Sequence, residues 1–342
     1  MLSPDELAAL SQVLANALQQ EVRAIENLSR IPGGASRETY RFDARIGEET
    51  KGYILRRDPV DSLIDTERAV EFAAYQSFHP TAVPVPKPIA LVEDPGALGR
   101  PFFIMERIDN ASAGSPFNRD PFGAHRESVG REFFAILGAI ASIDPYDTQL
   151  PAVVDTPAPE ECWSRELDYW ENVIRTDSLE PQPIAMAAIR RLRRNPPKPT
   201  PKLSIVHGDY RNGNFLHDGQ GHIAAILDWE MAHIGDPMED LAWALDPLWA
   251  SDPKYAAGMI DIEDAIRIWQ ETSGRRFNAE AFTWWSLFAN VKGLAIWISS
   301  SKAYHDGKNT DPVLAFSGWY CATRHNKIIA DRLSAAASGA LA

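Results

Sequence analysis

The stretch from Val206 to Glu230 constrains this chain more than any other. It reads Val206-His207-Gly208-Asp209-Tyr210-Arg211-Asn212-Gly213-Asn214-Phe215-Leu216, passes through Asp218-Gly219-Gln220-Gly221, and ends on Ile226-Leu227-Asp228-Trp229-Glu230. Residues 203–206, 214–217 and 222–227 have the apolar character of three short strands, and the Asp- and Gly-rich turn marks the last two as a hairpin. With the turn centred between Gly219 and Gln220, residue 212 sits opposite residue 227. Asp228 then lies beside the loop that carries Asp209, Asn212 and Asn214. Two carboxylates and a carboxamide are thereby expected at one end of a β patch. Phosphoryl transfer needs such a set: a carboxylate that orients and deprotonates an attacking hydroxyl, and hard oxygens that hold magnesium against phosphates. Asn214 and Asp228 offer those oxygens. Asn212 shares a face with Asn214 and is the alternative ligand.

Around this block the chain divides in two. Ser3-Pro4-Asp5-Glu6 is a capping box with proline at the first helical position, which predicts a helix over residues 4–19. A glycine loop at Gly33-Gly34-Ala35-Ser36, strands at 39–42 and 53–56, a helix over 65–78 and strands at 89–93 and 101–107 follow. Beyond residue 126 the spacing turns helical over 127–143, 163–172, 183–194, 237–245, 262–272, 281–304 and 312–333. The expectation is an α+β, two-lobed chain. Residues 1–105 form a β-rich lobe, residues 106–342 a mostly helical one, and the hinge lies near 105–110.

Composition narrows the function classes. The net charge of −13 disfavours a nucleic-acid backbone as partner, although Arg190, Arg191, Arg193 and Arg194 form a local basic run. The longest apolar run, residues 133–143, is about half the ~20 residues of a membrane span. Early acids (Asp5, Glu6) and two cysteines (Cys162, Cys321) read as a chain without a signal peptide or disulfide framework, hence a cytoplasmic protein that does not act on membranes.

Three ordered blocks carry a family resemblance: His207-Gly208-Asp209 with Asn214, Leu227-Asp228-Trp229-Glu230, and Gly235-Asp236-Pro237 with Asp240-Leu241-Ala242. In these the chain resembles the aminoglycoside phosphotransferase and choline kinase-like family, relatives of the protein kinases. The central block is similar to bacterial members that resemble the kinase-like domain attached to some acyl-CoA dehydrogenases. The resemblance implies a protein-kinase-like fold, ATP and Mg²⁺ as cofactors, and phosphate transfer to a small-molecule hydroxyl acceptor. It implies Asp209 as the base, Asn214 and Asp228 as magnesium ligands, and His207 as a brace of the catalytic loop. Arg211 stands either as a cation for the γ-phosphate or as an exposed loop arginine. Asp240 reads as first-turn support of its helix.

In the first lobe the resemblance places Arg56 on the phosphates. Strand alternation sets Ile54 beside it, toward adenine, and turns Arg57 the other way. Glu71 is the expected partner of Arg56, with Glu67 one turn earlier as the rival. Gly34 and Ser36 offer backbone amides to a phosphate, and the carbonyl of Glu106 and the amide of Ile108 are the implied adenine contacts. Two acceptors compete: a cationic aminoglycoside, matching the chain's acidity, or a hydroxylated metabolite such as a hydroxyacyl-CoA, matching the dehydrogenase-associated resemblance. A pseudokinase is the alternative from another class, and the presence of Asp209, Asn214 and Asp228 together counts against it.

Overall fold

The computed structural model describes residues 2–31, 38–58, 68–114, 118, 120–250 and 252–337. Gly34, Ser36 and Glu67, singled out above, lie outside the described residues. The first helix, α1 (Pro4–Leu18), begins with the expected box, in which Ser3 and Glu6 satisfy each other's backbone N–H. Then come β1 (Val22–Ile31), β2 (Glu38–Ile46), β3 (Glu49–Arg57), α2 (Arg68–Phe78), β4 (Pro88–Val92) and β5 (Phe102–Glu106). They form an antiparallel sheet in the order β1-β2-β3-β5-β4.

Alternation along β3 distributes the sheet between two cores. Tyr53 and Leu55 pack with Leu10 and Leu14 of α1, while Ile54 joins the larger core shared with α2 and the helical region. β1 was not foreseen. It is an edge strand with no fully buried residue, and its register slips between Val22 and Ala24 and between Glu26 and Ser29. Those bulges erase the alternation that announces a strand.

The rest is mostly helical: β6 (Ser112–Ala113), α3 (Arg126–Ser142), α4 (Cys162–Asp177), α5 (Pro183–Arg194), β7 (Ser204–Val206), β8 (Phe215–His217), β9 (Ile223–Ile226), β10 (His233–Gly235), α6 (Met238–Ala244), α7 (Ile262–Ser273) and α8 (Ala279–His305). α8 is buried on all sides along most of its length, with α4, α5, α6 and α10 (Ala322–Ala337) around it. Its Trp284 and Trp285 are core residues. The helix expected over 312–333 is split into α9 (Pro312–Phe316) and α10 by one wide π turn at Ser317–Cys321, where the chain gains an extra residue. Among the described residues no helix is long and apolar enough to cross a membrane. Cys162 and Cys321 are buried free thiols.

Candidate active site

The loop after β7 turns sharply because Gly208 sits at φ +85°, a conformation that side chains resist. A Cβ there would also lie 2.5 Å from the Met231 carbonyl oxygen. On either side, the backbone N–H groups of His207 and Gly208 donate to the Asp240 carboxylate at 2.6 and 2.9 Å. Asp240 thus does more than support its own helix, since it clamps this loop from the first turn of α6. His207 is fully buried. Its Nδ1 accepts from the Asp209 N–H at 3.1 Å, so Nε2 carries the proton and donates to the Leu227 carbonyl at 2.9 Å. Burial holds its pKa below the ordinary value despite the nearby Asp240 and Asp209, as suits a neutral brace rather than a proton shuttle.

Three donors fix the Asp209 carboxylate. Trp243 Nε1 reaches Oδ1 at 2.8 Å, Asn214 Nδ2 reaches Oδ2 at 2.6 Å, and Arg211 Nε lies 3.2 Å from both oxygens. The Arg211 guanidinium also rests on the Trp249 ring. Asn212 and Asn214, inseparable by pattern, are separated here. Asn212 is buried, and its Nδ2 is tied to the carbonyls of Trp249 and Ala257 at 3.0 and 2.9 Å. Asn214 commits its nitrogen to Asp209, which leaves its amide oxygen as the hard donor.

The hairpin register differs from the expected one. Phe215 pairs with Ile226 and the Leu227 N–H donates to the Asn214 carbonyl at 2.8 Å, so residue 214 rather than 212 faces residue 227. The cause is the turn: Asp218 Oδ1 accepts from both Gln220 and His222 N–H, which widens the loop, and a bulge follows at Leu216/His217. The shift brings Asn214, and not Asn212, next to Asp228.

From the sheet, Arg56 closes the constellation. Its side chain is about one-tenth exposed, pairs with the fully buried Glu71, and reaches Asp228 Oδ1 at 3.0 Å. Burial opposes charge on Asp228, but the Arg56 charge and hydrogen bond outweigh it and hold the carboxyl below its usual range. Asp228 adopts φ +68°, rare for a residue with a side chain. Tyr75 was not foreseen. Its hydroxyl links the Asp228 N–H to Glu71, both at 3.3 Å, from one helical turn beyond Glu71. Trp243 was also missed, although it lies three residues after Asp240 and so on the same helix face. Arg57 points away, to Glu6 and Glu38.

These groups border a cleft of about 1090 Å³ between the sheet and the β8–β9 hairpin, lined by Ile54, Arg56, Glu106, Ile108, Asn214 and Asp228 among others. Asp209 stands just beside it, joined through Asn214. Hard oxygens of Asn214 and Asp228 at the end of a cleft floored by a buried arginine fit a magnesium–phosphate group.

The chain's likeness to known proteins agrees with this geometry. It is 27% identical over 228 residues to the probable acyl-CoA dehydrogenase IBR3 of Arabidopsis thaliana, covering 64% of this chain and 27% of that protein. The chain therefore spans about a quarter of that relative's length. A solved Ralstonia eutropha structure assigned to the aminoglycoside phosphotransferases superimposes with a TM-score of 0.73 at 22% identity, covering 95% of this chain and 97% of that one. Aminoglycoside phosphotransferase APH(4)-Ia, in a ternary complex with AMP-PNP and hygromycin B, gives 0.60 at 17% identity over 95% and 98% of the two chains. These two show a kinase-like fold. Residues 27–275, which contain every part of the constellation described, match the sequence profile of the phosphotransferase enzyme family, and the chain belongs to that family.

Proposed function

We propose that the chain transfers the γ-phosphate of ATP to a hydroxyl of a small molecule. One observation carries this: the Asp209 carboxylate is held by three donors, one of which, Asn214, lies with Asp228 and Arg56 at the end of the cleft. In this reading Asp209 aligns the acceptor hydroxyl and takes its proton, while Trp243 and Asn214 fix the oxygens that do so. Arg56, oriented by Glu71, binds the α- and β-phosphates. Its Nε–H is buried and has no acceptor among the described residues, as a group awaiting a phosphate oxygen requires. Arg211 places positive charge beside the transferred group. Ile54 and the backbone of Glu106 and Ile108 receive adenine. Magnesium, held by Asn214 and Asp228, neutralises phosphate charge when bound. The AMP-PNP bound in APH(4)-Ia supports the nucleotide assignment.

For the acceptor, the named relatives and two arginines near Cys321 bear on the choice. Arg211 and Arg324 both act on the buried Cys321 thiol, opposing the burial that pushes it up to about 11. Arg324 itself leans on Tyr320, with Nη1 3.1 Å from its hydroxyl. Two arginines thus stand on the Cys321 side of the site, although the whole chain carries −13. We therefore favour a hydroxylated anion of the hydroxyacyl-CoA kind, consistent with relatives named as acyl-CoA dehydrogenases. An acceptor panel scored by ADP release, with Asp209→Asn as the blank, tests both levels. Release stimulated by hydroxyacyl thioesters is expected. Stimulation by aminoglycosides alone overturns the acceptor class, and no stimulation by any hydroxyl compound overturns the reaction.

A further inference from the structure

Residues 190–202 carry six cations, Arg190, Arg191, Arg193, Arg194, Lys198 and Lys202, and no acid, in a chain of net charge −13. Arg193 is engaged by Glu171 and Asp168. Lys198 and Lys202 instead line a separate pocket of about 440 Å³, which Arg275 and Arg276 also border. The pocket lies between the ends of α3 and α7 and the starts of α6 and α8. Its size is within the ~300–1,000 Å³ of small-molecule sites.

The acids around it do not cancel these cations. Lys202 meets the half-buried Asp144 at 3.1 Å and Lys198 meets Glu280 at 3.2 Å, and both lysines are exposed, where pairing is weak. Arg275 donates to three carbonyls, of Ala141, Lys202 and Leu203, and Arg276 has no ion pair among the described residues. Asp236, the buried acid of the wall, has both oxygens occupied, by the Met238 N–H at 2.9 Å and Trp285 Nε1–H at 3.1 Å. Burial also pushes its carboxyl toward the neutral form. Trp269, Met238 and prolines 199, 201 and 237 supply an apolar surface. Trp269 is fully buried, and its Nε1–H finds no acceptor among the described residues.

We propose that this pocket is a second small-molecule site, taking a compact organic anion: a phosphate or carboxylate on an apolar or aromatic body. Its occupancy reaches the catalytic loop through α6. Pro237 and Met238 form pocket wall, Asp240 clamps the His207–Gly208 backbone, and Trp243 holds Asp209, all within one short rigid element. A macromolecular anion does not fit an enclosure of this size.

The test uses the full chain with Mg-AMP-PNP saturating the cleft, phenyl phosphate as the probe, and the tryptophan indole N–H resonances as the readout. A saturable shift of the Trp269 signal, assigned by its loss in Trp269→Phe, is expected. The Lys198→Ala/Arg276→Ala double variant weakens it about tenfold or more, and phenyl phosphate alters turnover of the wild type but not of that variant. If Trp269→Phe does not fold, the double variant alone decides. No saturable shift up to about 10 mM, or a shift that the double variant retains, overturns the site. So does a shift seen only when AMP-PNP is omitted, which places the probe in the cleft. Binding of an acidic peptide or oligonucleotide with no response to phenyl phosphate assigns the basic surface to a macromolecule instead.

Discussion

Two buried ion networks lie close together in this fold, built from the same kinds of residue and closed in opposite ways. Behind α6, Glu239 meets Lys292 at 2.9 Å and His233 at 3.1 Å, and Glu166 lies 3.7 Å from His233. Two acids face two cations: Glu239, His233 and Lys292 hold one another charged, while burial raises the pKa of Glu166. Burial alone would discharge His233, yet Glu166 and Glu239 push it up to about 10, while Lys292 and His233 bring Glu239 down to about 2 against its own burial. Three of these groups could geometrically hold a metal ion, but Lys292 and a protonated His233 already supply the positive charge. In the cleft, by contrast, Glu71, Asp228 and Asp209 share two arginines, Arg56 and Arg211, and Asp228 stays about one-third exposed. The Arg56–Asp228 pair of that network borders the cleft, and Asp228 is open to solvent. The first network keeps its Lys292–Glu239 pair inside the protein, whereas the second opens on the cleft, where a ligand can meet it.

The sharpest way to break this contrast is Asp209→Asn. It should leave unfolding unchanged and lower turnover by roughly 10²–10⁴-fold, the range for losing a general base. Turnover at the wild-type level with the true acceptor would remove Asp209 from the chemistry. Lys292→Met inverts the pattern. Stripping a partner from a buried network should cost about 3–5 kcal/mol in a denaturant melt, with turnover per folded molecule falling less than tenfold. An unchanged melt would mean that the Lys292–Glu239 pair does not stabilise the fold.

Arg56 and Glu71 offer a finer test. If they act as one unit, each alanine variant weakens Mg-ATP binding, and the double variant is barely worse than Arg56→Ala, a coupling of about 1–3 kcal/mol. Arg56→Lys should be milder, and Arg57→Ala, on the opposite face, nearly silent. Additive losses would refute the pairing. A last test concerns pH. The folded-state pKa of His233 is raised to about 10 from the ordinary 6.5, so its stabilisation is complete below pH ~6.5 and fades as pH climbs through 10. The melting temperature of the wild type should therefore fall over that window more than that of His233→Gln, and parallel curves would contradict it.

How much of this could be seen in the sequence depended on whether neighbours in the chain were also neighbours in space. Alternation at Ile54, Arg56 and Arg57 is local, and the strand obeys it. Pro183 and the following basic turn bounded α5 to the residue. The link from Glu71 through Tyr75 to Asp228 spans helix and hairpin, and only the helical half, the i,i+4 spacing, is written locally. Trp243 meets Asp209 across the clamp made by Asp240, a contact no periodicity encodes. The hairpin register failed by two residues because side-chain hydrogen bonds of Asp218 and a bulge at Leu216/His217, which the glycine pattern does not encode, shift the pairing. The composition says little about the site: −13 is a sum over the chain and does not report how charge is placed around Asp209.

The wide turn at Ser317–Cys321 sets the rotational phase of everything after it. One extra residue advances a helix by about 100°, so α10 meets α8 on a different side from the one an unbroken helix would present. That phase is what brings His325, fully buried, to Trp297 Nε1 at 2.9 Å and to Asp246 at 3.3 Å. Gly318 fits because Ser301 leaves no room for a side chain there. Deleting a single residue in the turn would restore a regular helix and swing His325 out of its socket, so that the chain would be better wound and worse packed.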